Sequence, residues 1–158
     1  MGSNQTPHSK LILMKIRPAS SDDLSTILAI ENLTNQIPWT EEQFLSSVEV
    51  GHYSVVLEIK EGVVGFAIYS PIVPESHLLN IAIAPSNQGQ GLGRELLKKV
   101  IMQNKILGVK SITLEVRASN YSAIALYESA GFAKDAIRPD YYSGDPREDA
   151  LLMSLVID

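Results

Sequence analysis

The stretch "NQGQGLGREL", residues 87–96, sets Gly89, Gly91 and Gly93 at alternate positions directly before a helical pattern. Glycine loses more backbone freedom on folding than any other residue, so such a cluster needs a reason. A strand, a glycine-rich turn and a helix N-terminus together make an anion site. Main-chain N–H groups are exposed there, and the helix dipole favours negative charge. The three glycines let the main chain approach a phosphate, and Arg94 adds a cation at the first helical turn. Placed there, Arg94 opposes the dipole, and a bound anion would account for it. The two common nucleotide patterns fail. A P-loop needs a lysine-hydroxyl pair after its last glycine, and none follows. The dinucleotide fingerprint needs its third glycine where Arg94 stands. A glycine-rich turn that holds nothing is the alternative at this point.

Two further side chains are placed to do chemistry. In "SITLEVR", alternation puts Ile112, Leu114 and Val116 on one face and Thr113, Glu115 and Arg117 on the other. A carboxylate in such a strand needs a partner or water. It is either half of an ion pair with Arg117 or a neighbouring strand, or a base. In "NYSAIALYE", Asn120 stands at a helix N-cap position and Tyr127 lies seven residues on, two turns along one face. One ligand running along that face can meet both. Equally, Tyr127 can be a core aromatic and Asn120 a cap.

Other chemistries are excluded. The 158 residues contain no cysteine, which removes disulfides, thiolate nucleophiles and cysteine-ligated metals. His8, His52 and His77 are scattered and no G-x-S-x-G occurs, so neither a zinc site nor a Ser-His-Asp triad is expected. The net charge of −5 argues against a general nucleic-acid binder and suits a cationic substrate better. With 45% hydrophobic and 20% charged residues and no apolar run long enough for a bilayer, the composition is that of a cytoplasmic globular domain.

The elements that must position these residues follow from pattern. Residues 1–13 read as a leader or tag, disordered or extended, with Met14 as the expected native start and residues 14–158 as one domain. "MKIRPAS" is a short strand stopped by Pro18. "SDDLSTILAIENLTN" is a capped helix with Leu24, Ile27, Leu28 and Ile30 at helical spacing. "PWTEEQFLSSV" is a second helix, with Thr40 and Gln43 as a capping box. "YSVVLEI" and "GVVGFAIYS" are strands joined by a hairpin at "KEG", and "HLLNIAIAP" is a strand ended by Pro85. After the glycine loop, Leu92, Leu96, Leu97, Val100 and Ile101 share a helical face that ends at Gly108. "SITLEVRA", "NYSAIALYESAG" and "EDALLMSLVI" give strand, helix and strand. The fold class is α+β, with early helices and antiparallel strands feeding a β-α-β-α-β second half.

"NIAIAPSNQGQGLGRELL" resembles the coenzyme pyrophosphate motif Q/R-x-x-G-x-G/A of the GNAT family of N-acetyltransferases, with Gln88, Gly91 and Gly93 at its positions. "LEVRASNYSAIALYESAGF", "IPWTEEQF" and "DYYSGDPREDALLM" resemble the bacterial ribosomal-protein-alanine N-acetyltransferases of that family. The likeness covers nearly all of the chain after Met14. It implies a single N-acetyltransferase domain over residues 14–158. That domain has a mixed, mostly antiparallel central sheet, helices on both faces and a splayed strand pair at the acyl-CoA site. It also implies acetyl-CoA as co-substrate without a metal.

By resemblance, Glu115 is the proton acceptor and Tyr127 the proton donor to the departing thiolate. Ile81, Ala82 and Ile83 pair with the pantetheine arm. Gly89, Gln90, Gly91, Leu92, Gly93 and Arg94 cradle the pyrophosphate, and Asn120 contacts the coenzyme. Gly89 and Gln90 replace basic residues common in relatives, leaving Arg94 as the loop's cation. Trp39, Tyr141 and Tyr142 match aromatic positions around the acceptor cleft, although Trp39 can equally staple the second helix to the core. The implied acceptor is the N-terminal alanine of a small-subunit ribosomal protein. Its basic terminus would suit a rim made by Glu41, Glu42, Asp140, Asp145, Glu148 and Asp149, unless these are ordinary solvated charges. No direct nucleic-acid or membrane partner is implied, and a monomer is favoured. The alternatives are an enzyme of the same fold acting on a small amine or a lysine side chain, and a non-catalytic acyl-CoA-binding module.

Overall fold

The computed structural model describes residues 13–158. The expectation of a leader over residues 1–13 lies, Leu13 apart, outside the described residues. The chain runs β1 (Lys15–Pro18), α1 (Leu24–Thr34), α2 (Glu41–Glu49), β2 (Tyr53–Ile59), β3 (Gly62–Ile72) and β4 (Glu75–Ile83). It continues through α3 (Leu92–Leu107), β5 (Ser111–Arg117), α4 (Tyr121–Ser129), β6 (Ala133–Tyr142) and β7 (Glu148–Val156). Short 3₁₀ turns occupy Ser21–Asp23 and Pro85–Asn87. The strands hydrogen-bond in the order β1-β2-β3-β4-β5-β7-β6. The β4–β5 pairing is parallel, while β1–β2, β2–β3, β5–β7 and β6–β7 are antiparallel. This is the mixed, mostly antiparallel sheet that the family resemblance implies.

Internal contacts fall into two compact units. One holds the described residues through Tyr69 together with Asn80–Val100, and the other holds Ser70–Leu79 and Ile101–Asp158. In the first unit, Ile27 and Ile30 of α1, Phe44 of α2, Val56 and Leu57 of β2 and Phe66 of β3 are buried. Leu92, Leu96, Leu97 and Val100 form the buried face of α3, as their spacing requires, and each side chain contributes about 2 kcal/mol by leaving water. Ile101, expected on that face, is half-buried. Thr40 caps α2, accepting from the Gln43 N–H at 3.2 Å while Gln43 Oε1 accepts from the Thr40 N–H at 2.7 Å.

The entry to α1 is pinned by charge. Arg17 donates Nη1 and Nη2 to the two oxygens of Asp23 at 2.8 and 2.9 Å, and the Ser20 N–H adds a third bond at 2.8 Å. The Arg17 hydrogen bond, helped by Ser20, holds the Asp23 carboxyl at about 2, below its ordinary 3.8. Because the folded value is depressed, this stabilisation is present above about pH 4 and is lost as pH falls through about 2. Asp23→Asn is expected to lower stability by about 1.5 kcal/mol at pH 7, typical of a hydrogen bond to a charged group. Urea unfolding should show the gap to wild type narrowing between pH 4 and pH 2. An undiminished gap at pH 2 would refute the pairing.

In the second unit, Ile112, Leu114 and Val116 are the buried face of β5, with Leu155, Met153 and Leu151 of β7 directly opposite them. Gly108 and Gly131 end α3 and α4 as expected. One element departs from the sequence reading: β6, a ten-residue strand, was not anticipated between α4 and β7. Its segment "AKDAIRPDYY" is almost wholly exposed and pairs only with β7. Register shifts between Lys134 and Ala136 and between Arg138 and Tyr142 break any period of two. An exposed edge strand buries no face, so it leaves no hydrophobic alternation to read.

Candidate active site

The glycine loop lies in the first unit. β4 ends at Ile83, the Ala84 N–H bonds the Val64 carbonyl at 2.7 Å, and the chain turns through Pro85–Asn87. Gln88 Nε2 donates to the Ile83 carbonyl at 2.9 Å, so its side chain braces the loop against the strand it has just left. Gly89 and Gly91 adopt φ of +76° and +83°, conformations costly for any residue with a Cβ. Gly91 is the helix cap, since its carbonyl accepts the first intrahelical bond, from Glu95 N–H, at 3.2 Å. The N–H groups of Leu92, Gly93 and Arg94 therefore precede the helical ladder and carry the positive end of α3. Among the described residues, Gln90 Oε1 is buried without a hydrogen-bond partner, an acceptor that a donor group on a bound molecule would satisfy. These features fit an anion with polar groups beside it.

The same unit holds Ile81, Ala82 and Ile83 at the end of β4. The parallel β4–β5 register covers Glu75–Ser111 to His77–Thr113, although β4 continues to Ile83 and β5 to Arg117. Just before Ile81, Asn80 Nδ2 donates to Oε1 of Glu31 at 3.1 Å. Glu31 is fully buried, and its Oε2 accepts from Asn35 Nδ2 at 3.0 Å and the Trp39 N–H at 2.9 Å. Trp39 packs its ring 5.0 Å from Phe44, which sits edge-on to Phe66 at 5.9 Å. Trp39 thus does staple α2 to the core, and its main chain is tied through Glu31 to β4.

The second unit holds Glu115, Asn120, Tyr127, Tyr141 and Tyr142. Glu115 is paired with neither Arg117 nor a carrier of fixed charge. Its Oε2 lies 2.6 Å from Nε2 of His77, on β4. Arg117 instead donates to Glu148 at 3.2 Å and stacks its guanidinium 4.3 Å over the Tyr142 ring. Hydrogen bonds from Ser119 and Arg117 hold the Glu148 carboxyl below the usual carboxylate range. Burial pushes the Tyr142 phenol up to about 12, and the nearby Glu115 charge adds to this. Tyr127 is buried with its ring 5.8 Å from Phe132. Burial, with Tyr142 assisting, pushes its phenol well above the ordinary value, so it holds its proton throughout the neutral range. Asn120 caps α4, its Oδ1 accepting from the Ala123 N–H at 3.2 Å. Tyr141 stands edge-on to Tyr142 at 5.0 Å, with Arg138 5.1 Å over its ring.

The acidic rim divides. Glu41 and Glu42 are exposed on the first turn of α2. Glu148 is taken up by Arg117 and Ser119, and Asp149 accepts the Asp140 N–H at 2.9 Å. His77, Glu31 and Asn80 hydrogen-bond to or beside candidate site residues and are not singled out by the sequence patterns. Their partners lie 38 and 49 positions away for His77–Glu115 and Glu31–Asn80, a separation no local pattern spans. Among the described residues, no cluster of histidine and carboxylate side chains is placed to hold a metal, and no helix is long and apolar enough to cross a membrane.

A glycine loop opening a helix in one unit and, in the other, a parallel β4–β5 pairing of three residue pairs with a carboxylate and a phenol on successive elements are features found in acyl-coenzyme A transferases. The chain belongs to the acetyltransferase (GNAT) family, whose model matches residues 21–132. It is 41% identical over 143 residues to the [ribosomal protein bS18]-alanine N-acetyltransferase of Escherichia coli K12, covering 90% of this chain and 97% of that one. The crystal structure of the ribosomal-protein-S18-alanine N-acetyltransferase from Escherichia coli superposes with a TM-score of 0.86 at 40% identity, over 92% of this chain and 94% of that one. Ard1 from Thermoplasma volcanium superposes with a TM-score of 0.85 at 25% identity, over 92% and 99% of the two chains.

Proposed function

We propose that this enzyme moves the acetyl group of acetyl-CoA to the N-terminal α-amino group of a protein, the N-terminal alanine of ribosomal protein bS18, in the cytoplasm. The observation that carries this reading is the 41% identity to the E. coli bS18-alanine enzyme over 97% of that enzyme's length. Transfer is direct, in a ternary complex, and no cysteine is available as a thiolate acyl carrier.

The amine must lose a proton, the thioester carbonyl must be attacked, and the thiolate must be protonated. An α-amino group titrates at about 7.7–8.0, so modest assistance from Glu115 suffices near neutral pH. The nitrogen then bonds to the acyl carbon as the carbon–sulfur bond breaks, and the Tyr127 hydroxyl supplies the thiolate's proton. Leu92, Gly93 and Arg94 offer main-chain N–H groups to the pyrophosphate, with Gly89, Gln90 and Gly91 keeping the approach open. Ile81, Ala82 and Ile83 hold the pantetheine arm, and Asn120 contacts the coenzyme. Trp39, Tyr141 and Tyr142 face the acceptor peptide.

A peptide with the bS18 N-terminus should gain one acetyl group by mass spectrometry, in competition with a polyamine, an aminoglycoside and a lysine peptide blocked at its terminus. Acetylation of one of those competitors alone would shift the reading to another acceptor class. Acetyl-CoA should raise Tm and NAD should not. A binding module would show the Tm shift without turnover, and it would need neither Glu115 nor Tyr127.

A further inference from the structure

The partner of Glu115 is His77, which no step of the transfer uses. It stands on β4 at the last residue pair of the parallel β4–β5 register, opposite Thr113, two residues before Glu115 on the same face of β5. Its Nε2 is 2.6 Å from Glu115 Oε2, the short distance of a charge-assisted hydrogen bond. The His77 side chain is 38% exposed and that of Glu115 23%, so the imidazole is the more open to solvent of the two. The other charged or titratable groups around the pair are Glu75 on the same face of β4, Arg117 on β5, Tyr142 on β6 and Glu148 on β7. Arg117 is engaged by Glu148 and Tyr142, and Tyr142 keeps its proton.

We propose that His77 is a positioning residue for acetyl transfer. Its Nε2–H holds Oε2 of Glu115, which leaves Oε1 free for the acceptor amine. No atom is transferred to His77 in this scheme, and the substrate proton goes to Glu115. The proposal rests on Glu115 being the base.

The test compares H77A and H77Q with wild type at pH 8, using acetyl-CoA and the bS18 N-terminal peptide. A glutamine amide can still donate to Oε2. H77A should lose about tenfold in kcat, the loss of one charge-assisted hydrogen bond, and H77Q should recover to within about threefold of wild type. KM for acetyl-CoA should stay within about twofold in both. Wild-type turnover in H77A, or a folded H77Q as poor as H77A, would overturn the proposal. Should H77A fail to fold, a folded H77Q more than about tenfold below wild type would overturn it. E115Q separates the two levels, and adding H77A to E115Q should cost nothing further. If E115Q keeps full turnover, the assignment of the base has failed. If E115Q is impaired and the histidine variants are not, only the role of His77 has.

Discussion

Glu115→Gln is expected to lower kcat about 100-fold near pH 7, the range of general-base assistance, while acetyl-CoA affinity stays within about twofold. Glutamine keeps the volume and one acceptor oxygen, so the bond from His77 can persist and the buried face of β5 is undisturbed. Only the capacity to take a proton is gone. The deficit should shrink as pH rises past 8, because the α-amino group then sheds its proton unaided. That shrinkage distinguishes a lost base from a distorted site, which would be impaired at every pH. Tyr127→Phe makes the matching test at the other end of the reaction. It should slow turnover about tenfold or more, with Tm close to wild type, since the ring still packs on Phe132. Near-normal kcat in E115Q at pH 7, or a collapsed Tm in Y127F, would each remove that residue from its assigned role. The measurements are steady-state kinetics, calorimetric titration with acetyl-CoA and thermal melting.

Glu31→Ala is expected to destabilise the protein by about 3 kcal/mol or more. The carboxylate is fully buried and is the shared acceptor for Asn35 Nδ2, the Trp39 N–H and Asn80 Nδ2. Removing it leaves three donors without an acceptor, each costing about 1–3 kcal/mol if it stays buried. For a chain of this size that corresponds to a fall in Tm of about 6–12 °C. The same network ties the main chain at Trp39 to β4 one residue before Ile81. The variant, assayed below its melting point, should therefore also show a raised KM for both substrates. Thermal and urea unfolding measure the first effect and steady-state kinetics the second. A loss of stability under 1 kcal/mol would mean that water or repacking replaces the carboxylate readily, and that Glu31 is not the tie described.

What the chain by itself determined is everything that short-range rules govern. Glycine at Gly89 and Gly91 answered to positive φ, the Thr40–Gln43 capping box opened α2, and apolar spacing set the buried face of α3. The alternation in "SITLEVR" put Glu115 on the face opposite Ile112, Leu114 and Val116, as found. The roles of Glu115, Tyr127 and Asn120 were legible through likeness to a family, because their spacing alone left the ion-pair, core and cap readings open. Tertiary structure decided who meets whom. Arg117 stands two residues from Glu115 and on its face, yet Glu148 of β7 and the Tyr142 ring claim it, and His77 from β4 claims Glu115. Trp39 is tied to Asn80 through Glu31, and β6 exists because β7 offers it an edge. Those outcomes depend on strand order and on contacts between residues tens of positions apart. The energy of such a contact is realised only once the chain has closed the loop between them, and no window of neighbouring residues records it.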